Sequence, residues 1–406
     1  MSEKFNIQQH ILRPRLSIRP LLLIIFDWFV VRLPSIPKAN REGRILLVRV
    51  DAIGDFILSL DVVKGIRKLY PEQQITLIGN QVWTSLAEGL GLFDEVWPMD
   101  RHKFVWSLSY RRKILRKIAG GHFNIAIHPT FSRELLLGDA VIRASNAGER
   151  IGSTGDCSNI LPRERKISNR WYTRLVPASD KPLMELQRNA EFLRNLGLSA
   201  FRSSVPELLG FPRSSLTCGH QNYYVLFPGA GMPIRQWPVE HYVALAGKIH
   251  NETGWEGIIC GGPGEEGIGD ILVSNSGAPL KNLSGQTSLP ELVSIIAGAR
   301  LVVANETSAI HIAAAVSTPS VCILGGGHHG RFLPYTVESP TTRPLPLTVT
   351  HTMGCYHCNW ECIYRLEKGP APCVENISID SVWKAVRQIL HRGSMTTSGK
   401  DGRPTE

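Results

Sequence analysis

The sequence lacks several features that would place it in a common class of exported or membrane-anchored protein. Its eight cysteines in 406 residues do not resemble the disulfide framework of a secreted protein. The apolar run at residues 21–31 is too short for a membrane span, and no small-residue cleavage site follows it. We therefore expect neither a signal peptide nor a membrane-spanning helix.

A dense run of lysine and arginine is also absent, although the net charge is +10. No nucleic-acid-binding motif accompanies this charge, so we expect no nucleic-acid partner. An acidic membrane surface or a phosphorylated ligand is the better match for a basic protein of this kind.

Residues 1–40 form a basic, apolar N-terminal segment. Its apolar run is interrupted by Asp27 and contains Trp28 and Phe29. Basic helices with such side chains are typical of segments that lie in a membrane interface and contact anionic lipid. The alternative is a helix that packs on the adjacent domain.

Strand and helix patterns alternate through most of the remaining chain. Such alternation predicts parallel sheets covered by helices, here as two consecutive α/β halves at residues 41–210 and 211–392. The fold class is therefore α/β, with two Rossmann-like domains that face each other across a cleft. Residues 150–215, rich in Arg, Ser and Pro, are interpreted as the end of the first domain and a linker. Residues 393–406 are predicted to be a disordered tail.

The first strand runs into the stretch VDAIGDFILSL, which places Gly54 and Asp55 at its carboxyl end. Glycine allows a tight turn and a close approach to a ligand. Asp55 falls in the first turn of the next helix. It could cap that helix, or it could accept a proton from a bound hydroxyl group.

The second half contains two glycine-rich loops after strands. In FPGAGMPIRQWP, Gly229 lets the backbone approach a ligand, and Arg235 could hold a diphosphate. The alternative for Arg235 is a surface arginine that stacks on Trp237. In GGPGEE, Glu265 could hold ribose hydroxyls or simply favour the positive end of a helix.

The stretch VVANETSAIHIAAA changes from an apolar strand to a helix. Free N–H groups at the start of that helix, beside Thr307 and Ser308, would make an anion site. Ser308 and His311, three residues apart, share a helix face. The alternative is that Asn305 caps the helix and His311 is an ordinary interface histidine.

Four cysteines cluster near the C-terminus with the spacing C-x2-C-x3-C-x10-C, namely Cys355, Cys358, Cys362 and Cys373. Clustered thiols in a cytoplasmic protein indicate a structural zinc site, in which His357 could replace one cysteine. A disulfide pair, an iron–sulfur site and unbridged thiols are the alternatives.

The ordered motifs of residues 44–335 resemble those of glycosyltransferase family 9, the ADP-heptose:lipopolysaccharide heptosyltransferases. The resemblance rests on RILLVRVDAIGDFILSL, FPGAGMPIRQWPVEHYVAL, GGPGE and the stretch from LSGQTSLPEL to VCILGG. It implies a GT-B fold and an inverting transfer with no catalytic cofactor. A general base falls on Asp55, and a donor-phosphate contact falls on Arg235, which is also placed in the catalytic set.

The local patterns and the resemblance together give the predicted site residues. The donor side comprises Gly229, Arg235, Glu265, Glu306, Thr307, Ser308 and His311. The acceptor-side loops contain Gly54, Asp55 and His128. Two positions depart from the family pattern, which usually has Asp where Glu306 stands and Gly where Ser308 stands.

These observations predict a sugar transferase whose donor is a nucleotide sugar, with ADP-heptose first. The acceptor would be a lipid-linked glycan of the lipopolysaccharide core or a related type. The enzyme would be cytoplasmic and peripheral on the inner face of the inner membrane. The alternatives are a non-catalytic nucleotide-sugar-binding protein of the same fold and a sugar-nucleotide epimerase.

Overall fold

The computed structural model describes residues 18–32, 43–211, 214, 216, 222–364, 366 and 369–397. These residues divide into two compact units. The N-terminal unit comprises the described residues of Gln9–Ser204 and Val337–Ser339. The C-terminal unit comprises the described residues of Val205–Thr336 and Pro340–Glu406.

The described residues of the N-terminal unit contain a six-stranded parallel sheet in the order β3-β2-β1-β4-β5-β6. The central strand β1 is buried after its first residue, which explains its nearly continuous apolar sequence. The strands are β1 (Arg44–Arg49), β2 (Gln74–Asn80), β3 (Glu95–Met99), β4 (Ile125–His128), β5 (Glu149–Ser153) and β6 (Arg174–Val176).

Residues 150–215 were predicted to end the first domain and form a linker, and this prediction did not include the two strands that their first part contributes. β5 and β6 lie there and extend the parallel sheet beyond β4. Both strands are short and carry charged residues, and β6 also forms the sheet edge, where no apolar run is needed. The sequence pattern that identifies a buried strand is therefore missing.

The helices of the N-terminal unit follow the strands in alternation. The helical segment at residues 53–69 is interrupted at Ser59, whose hydroxyl donates to the carbonyl of Phe56. The helical segment after β4 starts as a π-helical turn, Leu135–Asp139. The helices are α1 (Arg19–Arg32), α2 (Ile53–Leu58), α3 (Leu60–Leu69), α4 (Thr84–Glu88), α5 (Arg101–Trp106), α6 (Leu108–Ala119), α7 (Ala140–Ser145), α8 (Pro162–Ser168) and α9 (Glu185–Leu196).

Helix α1 packs on the N-terminal unit through a buried ion pair. The Asp27 carboxylate accepts two hydrogen bonds of 2.6 Å from the guanidinium of Arg111 on α6. Arg143 of α7 donates to the carbonyl of Ile24 at 3.0 Å. The acid that interrupts the apolar run is therefore an anchor of the helix. No helix in the described part of the chain is both long enough and apolar enough to cross a membrane.

The described residues of the C-terminal unit contain a second six-stranded parallel sheet, in the order β12-β11-β10-β7-β8-β9. Counted from its own first strand, this order is the same as that of the first sheet. The strands are β7 (Tyr223–Phe227), β8 (Glu256–Ile259), β9 (Leu280–Asn282), β10 (Leu301–Asn305), β11 (Ser320–Ile323) and β12 (Leu347–Val349).

The helices of this unit bury apolar faces against the sheet. Tyr242 of α10 and Val382 of α15 belong to one buried cluster with Val303 of β10. Helix α15 continues into the segment predicted to be disordered, while residues 398–406 lie outside the described part of the chain. The helices are α10 (Val239–Thr253), α11 (Glu266–Asn275), α12 (Leu289–Gly298), α13 (Ser308–Ala315), α14 (Pro372–Glu375) and α15 (Ile379–Thr397).

Each sheet has a point where the strand order changes direction. It lies between β1 and β4 in the first sheet and between β7 and β10 in the second. In open α/β sheets, ligands bind outside the carboxyl ends of the strands at such points. The loops after these four strands are therefore the places where a site is expected.

Candidate functional site

The loops after β7 and β10 are joined by Asn305, the last residue of β10. Its side-chain amide donates to the carbonyls of Pro228 and Gly229 at 2.7 and 3.2 Å. Its oxygen accepts from the backbone N–H of Trp237 at 3.1 Å. Asn305 therefore fixes the loop after β7. The alternative that it caps α13 is wrong, because Thr307 occupies the cap position.

Arg235 ends a short 3-10 turn, Pro233–Arg235, in the loop after β7. Its guanidinium donates to the backbone carbonyl of Glu306 and lies 3.4 Å from that residue's carboxylate. It lies 5.2 Å from the ring centroid of Trp360, and Trp237 is buried with its indole bound to the Ile377 carbonyl at 2.8 Å. Arg235 therefore lies over Trp360 and not over Trp237, the stacking partner suggested from the sequence.

The start of α13 has the features of an anion site. The helix begins at Ser308, and Thr307 before it has an extended backbone. The hydroxyl oxygen of Thr307 is buried and has no hydrogen-bond partner among the described residues. Because the first N–H groups of a helix lack intrahelical acceptors, this helix start can hold a phosphate oxygen.

His311 lies one turn into α13 and is buried. Its Nδ1 is 2.9 Å from the hydroxyl of Tyr335, and the two rings are stacked. Burial, together with the positive charge of Arg235, lowers the pKa of His311 to about 3. The imidazole is therefore neutral near pH 7 and contributes shape and hydrogen bonding rather than charge.

Glu306 is buried beside Arg235, with only 3% of its side chain exposed. Burial raises the pKa of this carboxyl, while Arg235 and Arg331 act in the opposite direction. Neither carboxylate oxygen has a hydrogen-bond partner among the described residues. Glu306 is therefore paired electrostatically with Arg235, while both of its carboxylate oxygens can still accept hydrogen bonds.

Glu265 immediately precedes α11 and folds back over the glycine-rich loops. Its carboxylate accepts from the N–H of Gly262 at 2.7 Å, and burial raises its pKa. A Cβ added at Gly229 would lie 2.1 Å from this carboxyl group. Glycine is required at residue 229 because Glu265 packs against it, and a ribose contact for Glu265 stays a prediction.

In the N-terminal unit, Asp55 lies in the first turn of α2 after β1. Buried Arg49 donates to the Asp55 carbonyl at 3.0 Å and forms an ion pair of 2.9 Å with Asp51. The hydroxyl of Thr130, after β4, donates to the same Asp51 oxygen at 3.2 Å. Gly54 lies inside α2 rather than in the tight turn suggested from sequence.

His128 is the last residue of β4 and is buried in a polar network. Its Nδ1 is 2.9 Å from the hydroxyl of Tyr172, which donates to Asp139 at 2.5 Å. Arg133 lies 3.4 Å from Asp139. These contacts give His128 a structural role, and its predicted place on the acceptor side stays a prediction.

The four clustered cysteines line one small cavity in the C-terminal unit. All four thiols are free, so the disulfide alternative does not apply in this structure. Burial is the main factor that raises the pKa of Cys358 and of Cys373, with the neighbouring thiols acting in the same direction. Within the described ranges, no three His, Cys, Asp or Glu side chains have the geometry of a metal site.

The cysteine-rich segment also packs against the loop after β11. Trp360 packs so closely on Gly327 that a Cβ there would lie 2.4 Å from the indole ring. The N–H of Gly326 donates to the sulfur of Cys373 at 3.4 Å. The cysteine-rich segment therefore reaches Arg235 through Trp360.

Sequence reasoning missed three residues that the structure brings to these loops: Arg49, His328 and Trp360. A cation within the otherwise apolar RILLVRV was the available signal for Arg49. For His328, the signal was the paired histidines after a glycine run in GGGHHGRF. Nothing in the local sequence connects Trp360 with Arg235.

Comparison with known families gives one clear match. The family described as glycosyltransferase family 9 (heptosyltransferase) matches residues 140–348. Lipopolysaccharide heptosyltransferase 2 of Salmonella typhimurium is 22% identical over 312 residues, which cover 70% of this chain and 82% of the relative. Lipopolysaccharide heptosyltransferase 3 of Escherichia coli is 21% identical over 297 residues, with coverages of 70% and 84%.

Solved structures show the same fold. A family 9 glycosyltransferase from Veillonella parvula has a TM-score of 0.66 at 18% identity, covering 88% of this chain and 100% of its own. The E. coli ADP-heptose lps heptosyltransferase II has a TM-score of 0.65 at 19% identity, with coverages of 86% and 99%. The GT-B fold expected from the sequence is thereby confirmed.

Proposed function

The chain belongs to glycosyltransferase family 9, and from this premise we propose that it transfers heptose from ADP-heptose to a glycan of the lipopolysaccharide core or a related type. The observation that carries the proposal is the pair of anion-binding elements on adjacent loops of the C-terminal unit. These are the guanidinium of Arg235 and the start of α13 at Thr307 and Ser308. The names of the relatives support the choice of sugar and acceptor.

The donor diphosphate is proposed to bind Arg235 and the first N–H groups of α13. Both elements carry positive charge or partial positive charge, and a diphosphate supplies several acceptor oxygens. Glu265, after β8, is proposed to hold the ribose hydroxyls. His311, which is neutral, is proposed to pack behind these contacts.

The proposed reaction is an inverting displacement. The Asp55 carboxylate accepts the proton of the acceptor hydroxyl while that oxygen forms a bond to the anomeric carbon. The bond from the anomeric carbon to the diphosphate oxygen breaks, and the nucleoside diphosphate leaves with the electron pair. Arg235 and the α13 amides stabilise the leaving charge in place of a catalytic metal, at about 3–4 kcal/mol for each such preorganised group.

A donor-binding screen tests this function. Isothermal titration of the purified chain with ADP-heptose, a UDP-hexose and a GDP-hexose is expected to give the tightest binding for ADP-heptose. Free ADP is expected to bind more weakly, because it lacks the sugar. The proposal is contradicted if the folded protein binds none of the nucleotide sugars.

We also propose that the enzyme docks on an anionic membrane surface through α1 and the adjoining helices. The outward face of α1 exposes Leu22 by 56% and Phe29 by 60%. Arg19 donates to the Val105 carbonyl at 2.9 Å and lies 3.3 Å from the ring centroid of Trp106. This contact places exposed Trp106 of α5 beside the start of α1.

The cations of a neighbouring helix favour lipid as the partner of this apolar face. Helix α6, which packs on α1, exposes Arg112, Lys113 and Lys117. Aromatic and aliphatic side chains next to basic residues suit the interface of an anionic bilayer. The two interpretations of the N-terminal segment are therefore compatible, since one face of α1 packs on the protein and the other faces outward.

Vesicle binding provides the test of membrane docking. The double substitution Leu22→Ser and Phe29→Ser is expected to weaken binding to vesicles containing phosphatidylglycerol by at least tenfold, because about 3 kcal/mol of apolar burial is lost. The control Val82→Ser removes an equally exposed apolar side chain (52%) elsewhere on the same unit and should change nothing. Equal sedimentation of all three proteins would contradict the docking proposal.

We further propose that the four clustered cysteines hold a structural zinc ion. All four residues line one cavity. Within the described ranges they do not have the geometry of a metal site, but four thiolates are a sufficient ligand set for tetrahedral zinc. Protein purified without chelator is expected to contain about one zinc per chain. Cys355→Ser should lose the metal, whereas Cys157→Ser, an exposed thiol outside the cluster, should keep it. Metal-free, folded protein would rule the site out.

A further inference from the structure

The Glu306 carboxylate and the His328 ring bring three hydrogen-bond acceptors together in the C-terminal unit. We propose that His328, together with Glu306, recognises hydroxyl groups of the donor sugar and is a specificity-determining residue of the enzyme. This inference rests on the proposed function, because it assumes that a nucleotide sugar binds at these loops.

The Asn359 side chain sets which nitrogen of His328 carries the hydrogen. The Nε2 of His328 lies 3.0 Å from Oδ1 of Asn359. In this orientation the amide oxygen can only accept, so Nε2 donates. Burial, with the charges of Arg235 and Arg331, lowers the pKa of His328 to about 3. The ring is therefore neutral near pH 7, and its Nδ1 carries a lone pair.

That lone pair faces the Glu306 carboxylate. The distance from Nδ1 to Oε1 is 3.8 Å, which is too long for a hydrogen bond. Nδ1 and both carboxylate oxygens are buried and have no hydrogen-bond partner among the described residues. Burying hydrogen-bond acceptors without donors destabilises the ligand-free protein. A ligand that supplies the missing donors removes this free-energy cost.

The chemistry of the missing partner follows from this arrangement. A phosphate brings only acceptor oxygens near neutral pH, so it does not satisfy three acceptors. Sugar hydroxyls each bring an O–H donor, and neighbouring hydroxyls on one ring can reach both Glu306 and His328. The phosphate is accommodated by the cation and helix start described above.

The position of His328 in the fold matches this role. It follows β11, which pairs with β10 so that Ile323 lies opposite Asn305. Glu306 follows Asn305 directly and precedes the start of α13. A sugar bonded to a diphosphate at that helix start would therefore extend toward acceptors supplied by the same edge of the sheet. Asn359, next to Trp360, holds the imidazole from the cysteine-rich segment.

Titration with ADP and with ADP-heptose separates sugar recognition from nucleotide recognition. His328→Ala is expected to weaken ADP-heptose binding about tenfold or more and to leave ADP binding within about twofold. His328→Asn, which can place an amide oxygen near the lost Nδ1, should recover part of the affinity. The matched control is His329→Ala, since the neighbouring histidine packs on Tyr356 and His357 instead.

Donor analogues that lack single hydroxyl groups identify the contact. For at least one deoxy analogue, we expect the affinity for the wild type to be as low as the affinity of ADP-heptose for His328→Ala. That analogue should bind His328→Ala no more weakly than it binds the wild type. Equal loss of ADP and ADP-heptose affinity in His328→Ala would show a merely structural role and overturn the inference. Unchanged ADP-heptose binding would overturn it as well. If the wild type binds no nucleotide sugar, the proposed function itself fails.

Discussion

Replacing Asp55 with asparagine is expected to slow sugar transfer by about 10²–10⁴-fold, the usual contribution of a general base. Asparagine keeps the shape of the side chain but cannot take the proton of the acceptor hydroxyl. Because Asp55 lies in the N-terminal unit and the proposed donor contacts lie in the C-terminal unit, ADP-heptose affinity should stay within about twofold. Rapid-quench kinetics and titration calorimetry on the same preparation measure both quantities.

Asp51 provides the discriminating control for this experiment. It lies in the same loop, but its carboxylate is engaged by Arg49 at 2.9 Å and by the hydroxyl of Thr130 at 3.2 Å. We expect Asp51→Asn to act on folding stability more than on the chemical step. Full transfer by Asp55→Asn would eliminate Asp55 as the base, and loss of transfer only in Asp51→Asn would move the role to Asp51.

Replacing Arg235 with methionine is expected to lower kcat/KM by about 10²–10³-fold, the effect of removing one preorganised charge-stabilising group. Methionine fills a similar volume without charge, so the loss in kcat/KM reports on the proposed diphosphate contact. Arg235→Lys should fall between the wild type and methionine, because it keeps the charge but loses the forked geometry. Steady-state kinetics with saturating acceptor provide the measurement.

Two further variants show whether the loss comes from the donor contact. Arg235 also pairs with Glu306, so its removal leaves a buried carboxylate without its cation. The double variant Arg235→Met, Glu306→Gln removes that penalty and should recover stability but not activity. Arg300→Gln, at an exposed arginine that contacts Asn222, should leave activity unchanged. An Arg235→Met enzyme with wild-type kcat/KM would exclude the proposed contact.

The sequence predicted the fold well where strands are buried on both faces. β1, β7 and β10 appear as mostly apolar runs, and each is followed by a loop that holds candidate site residues. The edge strands β6 and β9 did not give this signal, because only three residues of each pair with a neighbour. The pattern of apolar residues reports burial, and edge strands are recognised only through their pairing partners.

The loops of the site were predictable, but the contacts within them were not. The positions of Arg235 and Thr307 follow from the carboxyl ends of adjacent strands. The contact between Arg235 and Trp360 and the approach of His328 to Glu306 depend on how the cysteine-rich segment folds back onto the glycine loop. Contacts between residues so far apart in the chain do not produce a periodic pattern in the sequence.

The departure at Glu306 now has a structural context. Its longer side chain reaches both Arg235 and the region of His328, at 3.4 and 3.8 Å. We expect Glu306 and His328 to determine which donor sugar the enzyme accepts. The residue that differs from the family pattern is therefore placed where the donor sugar is proposed to bind.

Mass spectrometry of a lipopolysaccharide-core acceptor after incubation with ADP-heptose and the purified enzyme tests the central claim most directly. We expect the acceptor to gain the mass of one heptosyl residue, ADP to be released in equal amount, and Asp55→Asn to suppress both. An unchanged acceptor mass with every nucleotide sugar that the wild type binds would contradict the claim that this chain is a heptosyl transferase.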